Sequence, residues 1–213
     1  MTEVVIYGFP QSTYVRTARL VCEEKGVAYD LAPVEFGSPE HLELHPFGKI
    51  PAFRHGELVL HETSAIARYV DRAFPGPSLV PEGAEAQGRM EQWVSTACDY
   101  LYQDMIRELV LPRIVAPSRG AEPDEEMIGQ ALPKVEHHLG VLDQALIDRD
   151  YLAGSAVSLA DLFVAPIAFW VRLTPEGQAR KDGYPNLNRW WERMAARPSM
   201  AATEPATPGQ KAA

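Results

Sequence analysis

Cysteine is scarce: of 213 residues only Cys22 and Cys98 are cysteines. They form no CxxC, and both fall in stretches that read as helix. This excludes a disulfide-stapled scaffold and a redox CxxC site, and it points to free buried thiols in a reducing, cytoplasmic setting. Basic charge is also in deficit, with 20 Lys and Arg against 29 Asp and Glu and a net charge of −9. A nucleic-acid partner needs clustered cations on phosphates, so none is expected. No apolar run approaches the roughly 18 residues of a membrane span. The opening stretch MTEVVIYG lacks a basic region followed by an apolar core, so no signal peptide is expected. What the chain does have is 46% apolar residues, enough for a real core in one large domain or two small ones.

The first 75 or so residues mix short strands with helices. Val4–Tyr7 reads as a buried strand. Val15, Ala18 and Cys22 mark one face of the helix that follows, and Gly26 is placed to end it. Residues 28–36 read as a second strand and 38–44 as a short helix with Pro39 in its first turn. Residues 50–62 read as a hairpin turning at His55–Gly56, and 63–74 as a helix. The predicted order is βαβαββα. The stretch 75–85, PGPSLVPEGAE, reads as a linker, and beyond it strand signals stop. Residues 86–111 predict a long helix ending before Pro112. Residues 124–147 keep helical spacing, with a kink or break expected at Pro133. Residues 158–171, apolar nearly all round, predict a central buried helix. Ser158 and Asp161 stand at the spacing of a capping box, which explains Asp161 better than catalysis does. Residues 185–197 close the helical part. The expected division is 1–77, a linker 78–88, an all-helical domain 89–198, and a flexible tail 199–213.

Two hydroxyls, Ser12 and Thr13, sit where the first turn becomes the first helix. Read locally, either is a cap for a free backbone N–H. His41 and His45 are four apart, but HLELH is not HExxH and no third ligand is evident, so no metal is expected. Adjacent His137 and His138 point to different helix faces. Arg16 and Arg19 share a face near Ser12; they either raise the potential there or pair with a carboxylate such as Glu23.

Four longer stretches carry a resemblance. HPFGKIPAF (45–53), LVLHETSAIARYV (58–70), YLAGSAVSLADLFVAP (151–166) and YPNLNRWWERMAARPS (184–199) follow, in order, segments of the glutathione transferase family. GFPQSTYVRTARL (8–20), with serine at the turn and neither tyrosine nor cysteine there, is similar to the serine-using classes, the plant phi type in particular. The resemblance implies an α/β plus all-α architecture: an N-terminal thioredoxin-like βαβαββα domain and a C-terminal helical bundle domain, in a homodimer. It implies an enzyme that adds the thiolate of glutathione, its co-substrate, to small apolar electrophiles, with a glutathione peroxidase side activity open. The rival it leaves is a non-catalytic ligand-binding or interaction protein on the same fold.

The same resemblance implies the site. Ser12 would orient the thiolate over a helix N-terminus, with Thr13 the second candidate. The Ile50–Pro51 bond would be cis, freeing the Ile50 backbone for the cysteinyl part of glutathione. Glu62 would meet the γ-glutamyl ammonium, Thr63 its α-carboxylate, and Lys49 the glycyl carboxylate. VEFGSPEHL (34–42) lacks the basic pair that phi relatives carry before the short helix, which leaves Lys49, with His41 nearby on the short helix, as the basic groups for the glycine end. Tyr14, Tyr100, Tyr102 and Met105 are candidates for an electrophile pocket between the domains. Phe47 is expected in a partner subunit, since a phenylalanine in a surface turn wants burial.

Overall fold

The computed structural model describes residues 3–207. Its first unit runs to Val80 and also takes in Pro198–Ala206; the second is Pro81–Arg197. Among the described residues no helix is long and apolar enough to cross a membrane.

In the first unit β1 (Val4–Tyr7), α1 (Thr13–Lys25), β2 (Asp30–Ala32), α2 (Pro39–Leu44), β3 (Ala52–His55), β4 (Leu58–His61) and α3 (Thr63–Ala73) follow the predicted order. The sheet runs β2-β1-β3-β4. β1 pairs parallel with β2 and antiparallel with β3, with Ile6 opposite Phe53. β3 and β4 form the hairpin, Phe53 opposite Leu60. Ile6, Phe53, Val15, Leu20, Ile66 and Val70 are buried together as its core. β2 is shorter than the expected 28–36. It stops before Pro33, which has no N–H to continue a ladder. α1 ends at Gly26, whose φ of 67° is the left-handed value a glycine adopts without strain, and Val27 N–H closes the cap on the Cys22 carbonyl at 2.9 Å. Just before that cap Lys25 donates to Asp71 at 3.4 Å and to the Pro77 carbonyl at 3.0 Å. Asp71 in turn accepts from Leu79 N–H at 2.8 Å.

The second unit is helical: α4 (Ala84–Thr96), a wider-wound π-helical stretch (Ala97–Val115), α5 (Ala116–Ser118), α6 (Glu125–Ala145), α7 (Leu159–Arg172), α8 (Pro175–Arg180) and α9 (Pro185–Ala195). One expectation needs correcting. The helix predicted to stop before Pro112 runs through it to Val115. A proline removes one backbone donor and crowds the carbonyl one turn earlier, which can bend a helix without ending it. Of the kink or break expected at Pro133, the break does not occur: α6 continues through it as one element. α7 is buried along nearly its whole length, as its all-round apolar sequence requires. Asp161 anchors its start. It accepts from Ser158 N–H and Ser158 Oγ–H, from Leu152 N–H and from Trp190 Nε1–H, all at 2.9 Å. Trp190 is fully buried while Trp191 is half-exposed.

The C-terminal stretch also differs from expectation. Pro198–Ala202 forms α10, and Ser199, Met200 and Thr203 are buried. Arg16 donates to the Met200 carbonyl at 3.1 Å and to Thr203 Oγ1 at 3.4 Å. Arg19 donates to the carbonyls of Ala202 at 3.1 Å and Thr203 at 3.2 Å. Guanidinium groups thus meet the carbonyl end of α10, where a helix favours positive charge. The rest of the expected tail, 208–213, lies outside the described residues.

Candidate active site

The turn between β1 and α1 is tight because of Gly8. Its φ is 149°, and a Cβ there would lie 2.5 Å from Val15 Cγ2 and 3.4 Å from Ile50 Cβ. No side chain fits, so the strand passes directly into the helix and the 49–51 loop rests against the same turn. Ser12 is the N-cap of α1, in extended backbone (φ −67°, ψ 126°). Its carbonyl accepts from Arg16 N–H at 2.9 Å, and its Oγ accepts from Val15 N–H at 3.4 Å. That second bond is long for an N–H···O contact. A hydroxyl has one proton to give and two lone pairs, so capping occupies Ser12 as an acceptor and leaves its donor unspent. Thr13 is buried, whereas Ser12 and Tyr14 are half-exposed. No acidic residue occupies the first turn, so nothing there opposes an incoming anion.

The neighbouring arginines belong to the fold. Arg16 is 1% exposed, and burial lowers its pKa to about 10, partly countered by Glu204. Arg19 does not reach Glu23 directly. It donates to Tyr29 Oη at 3.1 Å, and Tyr29 donates to Glu23 at 3.0 Å.

The Ile50–Pro51 peptide bond is cis, as expected. Ile50 stands just outside β3, whose pairing begins at Ala52. Lys49 is exposed. His41, the second basic candidate for a carboxylate, is corrected here: it is buried, and both ring nitrogens are engaged. Nδ1 accepts from Gly37 N–H at 3.2 Å, so Nε2 carries the proton and donates to the Lys49 carbonyl at 2.9 Å. It braces the loop and has no hydrogen-bonding capacity left for a ligand. His45 is also buried, and its pKa is lowered by burial first and by His61 next. Among the described residues no group of three or more His, Cys, Asp or Glu is gathered as a metal ion would need.

α3 opens differently from α1. Glu62, its N-cap, makes no side-chain capping bond, and no acidic residue lies in the first turn. Its φ of 67° makes it the one non-glycine with positive φ among the described residues. Backbone strain of this kind, about 1–3 kcal/mol, collects at functional sites. Glu62 is exposed and Thr63, at the first helical position, is buried.

Sequence reasoning missed two aromatics beside this turn. Phe9 and Phe36 are 40% and 56% exposed, their rings edge to face at 6.0 Å, and Phe36 leans on His41 at 5.2 Å. The available signal was an aromatic beside glycine in each of two surface turns. Phe47 is 72% exposed, with the His45 and His61 rings around it at 6.3 and 5.9 Å. In the second unit Tyr100 is exposed, Tyr102 is half-exposed and Met105 is buried in the helical core, the placement its helical spacing alone would suggest.

The family model described as "Glutathione S-transferase, N-terminal domain" matches residues 6–78, and "Glutathione S-transferase, C-terminal domain" matches 102–198. The chain is 32% identical over 213 residues to "Glutathione S-transferase 1" of Triticum aestivum, covering 94% of this chain and 93% of that one. It is 36% identical over 208 residues to "Probable glutathione S-transferase GSTF1" of Oryza sativa subsp. japonica, covering 94% of each. Its fold is similar to a solved glutathione S-transferase-I bound with lactoylglutathione. The TM-score is 0.86 at 29% identity, covering 94% of this chain and 97% of that one.

Proposed function

The chain belongs to the glutathione S-transferase family, and from that premise we propose that it joins the sulfur of glutathione to small apolar electrophiles at the amino end of α1. The observation that carries the reading is the state of Ser12: a helix N-cap whose oxygen accepts from Val15 N–H and whose proton is still to be given. A free thiol has a pKa of about 8.5 and is mostly protonated at neutral pH. A helix N-terminus favours the anion, and the Ser12 O–H donates to it without ionising. The sulfur lone pair then attacks the electrophile. A C–S bond forms, a leaving group such as halide departs with its electron pair, and the thiol proton has already passed to solvent. With a hydroperoxide the same thiolate attacks oxygen, and a second glutathione completes the disulfide, leaving an alcohol and water.

The rest of the tripeptide is held by groups around that turn. Ile50, before the cis Pro51, offers its backbone to the cysteinyl residue as an added strand would. Lys49 meets the glycyl carboxylate. The uncapped start of α3 receives the γ-glutamyl α-carboxylate at Thr63, with the Glu62 carboxylate on the ammonium. Phe9 and Phe36 supply an apolar wall for the electrophile, joined by Tyr14. Phe47 is the anchor of a homodimer, since an exposed phenylalanine in a turn favours a self-complementary contact. Neither Cys22 nor Cys98 is in a disulfide, which suits the cytoplasm.

Retention on immobilised glutathione combined with turnover of an aryl halide tests the reading. Retention and turnover together are expected. Retention without turnover would favour a non-catalytic binder, and absence of both would remove glutathione from the function.

A further inference from the structure

The turn that leads to Lys49 and Ile50 starts at His45, an exacting place for an imidazole. His45 is 2% exposed, and its Nδ1 is buried without a hydrogen-bond partner among the described residues. Its backbone is tied on both sides. The His45 N–H donates to the His41 carbonyl at 2.8 Å, and the His45 carbonyl accepts from Gly48 N–H at 2.8 Å. The His61 ring, at the end of β4, lies 5.0 Å from the His45 ring, and the Phe47 ring lies 6.3 Å from it. Glu62, the N-cap of α3, follows His61 directly. The titratable groups that act on His45 from these elements pull in opposite directions. Burial lowers its pKa most and His61 next, Glu62 raises it, and His41 on α2 lowers it. Of these groups Glu62 alone favours a charged His45. It is also the carboxylate assigned above to the γ-glutamyl ammonium. A proton on His45 and an ammonium on Glu62 therefore compete for one negative charge, and such a linkage is reciprocal.

We propose that His45 is a proton-sensitive positioning residue of the glutathione site, which slackens its hold on the tripeptide as the medium turns acidic. The inference rests on the reading that glutathione binds here. A neutral His45 leaves Glu62 to the ligand. A charged His45 draws on Glu62, and its new Nδ1–H is a buried donor that must find an acceptor or water. Any such movement pulls on the 45–48 turn, at whose end Lys49 and Ile50 stand. The sign follows from the linkage. The ligated site holds the His45 proton less firmly than the empty site does. Affinity is therefore full above the His45 pKa of the empty site, which lies below the ordinary histidine value of about 6.5, and it falls as pH drops beneath that.

Isothermal titration of the full chain with S-methylglutathione, which has no thiol to titrate, is the test. Between pH 7.5 and 5.5, where ordinary carboxylates stay ionised, the affinity should fall about three- to tenfold. His45→Asn keeps a hydrogen-bonding group and takes up no proton, so it should bind equally at both limits. In the unaltered chain the His45 ring titration, followed by NMR, should have its midpoint at lower pH with S-methylglutathione bound than without. His61→Asn should move that midpoint to higher pH. A pH-independent affinity in the unaltered chain, an undiminished pH dependence in His45→Asn, or a midpoint that the ligand does not move would each overturn the proposal and leave glutathione binding standing. Failure to bind at pH 7.5 would overturn both.

Discussion

Replacing Ser12 by alanine separates the two jobs assigned to one hydroxyl. The capping bond to Val15 N–H is 3.4 Å long. Its loss should therefore sit at the low end of the range for N-cap substitutions, about 0.5–1 kcal/mol of stability. A hydrogen bond to a charged sulfur is stronger, about 1.5–3 kcal/mol, which corresponds to a loss of roughly 10- to 150-fold in kcat/KM. The same interaction appears as acidity, so the thiol pKa of the bound glutathione should rise by about 1–2 units. The sign is fixed by which form the bond favours. The hydroxyl stabilises the anion, so removing it moves the thiolate limb of the pH–rate profile upward. The loss in rate should be largest near pH 6 and shrink once pH exceeds the new pKa. Urea unfolding reads the first quantity, and aryl halide turnover across pH reads the other two. Thr13, buried at the same turn, serves as the control: Thr13→Ser should leave the profile in place. An unshifted pH profile in Ser12→Ala would refute the reasoning, and so would a loss of rate no greater than the loss of folded protein.

Further outcomes follow from other sites. His41→Ala removes the donor to the Lys49 carbonyl and should raise KM for glutathione by up to about tenfold with kcat nearly unchanged; a fall in kcat at constant KM would contradict a bracing role. Asp161→Ala leaves four buried donors without an acceptor and should lower stability by about 3–5 kcal/mol while the remaining folded molecules turn over normally, as urea titration and active-site-normalised rates would show. Burial, with Glu23 adding to it, pushes the Cys22 thiol up to about 12. At pH 8 Cys22 should resist an aromatic disulfide reagent in the native state and react only on unfolding. Because its folded pKa is raised, it supports the fold below about pH 9 and withdraws that support as pH climbs toward 12, so stability measured by urea should fall across that window.

The parts of this chain that sequence exposes are those set by near neighbours. The passage from Val4–Tyr7 through Gly8 to Ser12 is written in consecutive residues, as are the capping box at Ser158 and Asp161 and the all-apolar α7. The parts it hides depend on distant groups. Residues 199–207 carry few apolar side chains and read as loose, yet they are fixed by Arg16 and Arg19, more than 180 positions earlier. The spacing that put His41 on α2 gave no sign that its ring would close on a carbonyl eight residues ahead. Pro112 was read as a stop because its missing N–H is a local fact, while the packing that carries the helix past it is not. Phe36 drew no attention because a single aromatic in a turn has no periodicity; its partner Phe9 comes from another loop.

The return of residues 198–206 to the first unit has a consequence for the order of events during synthesis. The sheet and α1 can leave the ribosome and collapse early, but the buried guanidinium of Arg16 cannot meet its carbonyls until some 190 further residues have been joined. At bacterial to eukaryotic elongation speeds of about 5–20 residues per second this delay is on the order of 10–40 s. For that interval α1 is a nascent element with a hydrated cation on its inner face, and the first unit is completed only after residues 81–197 have been made.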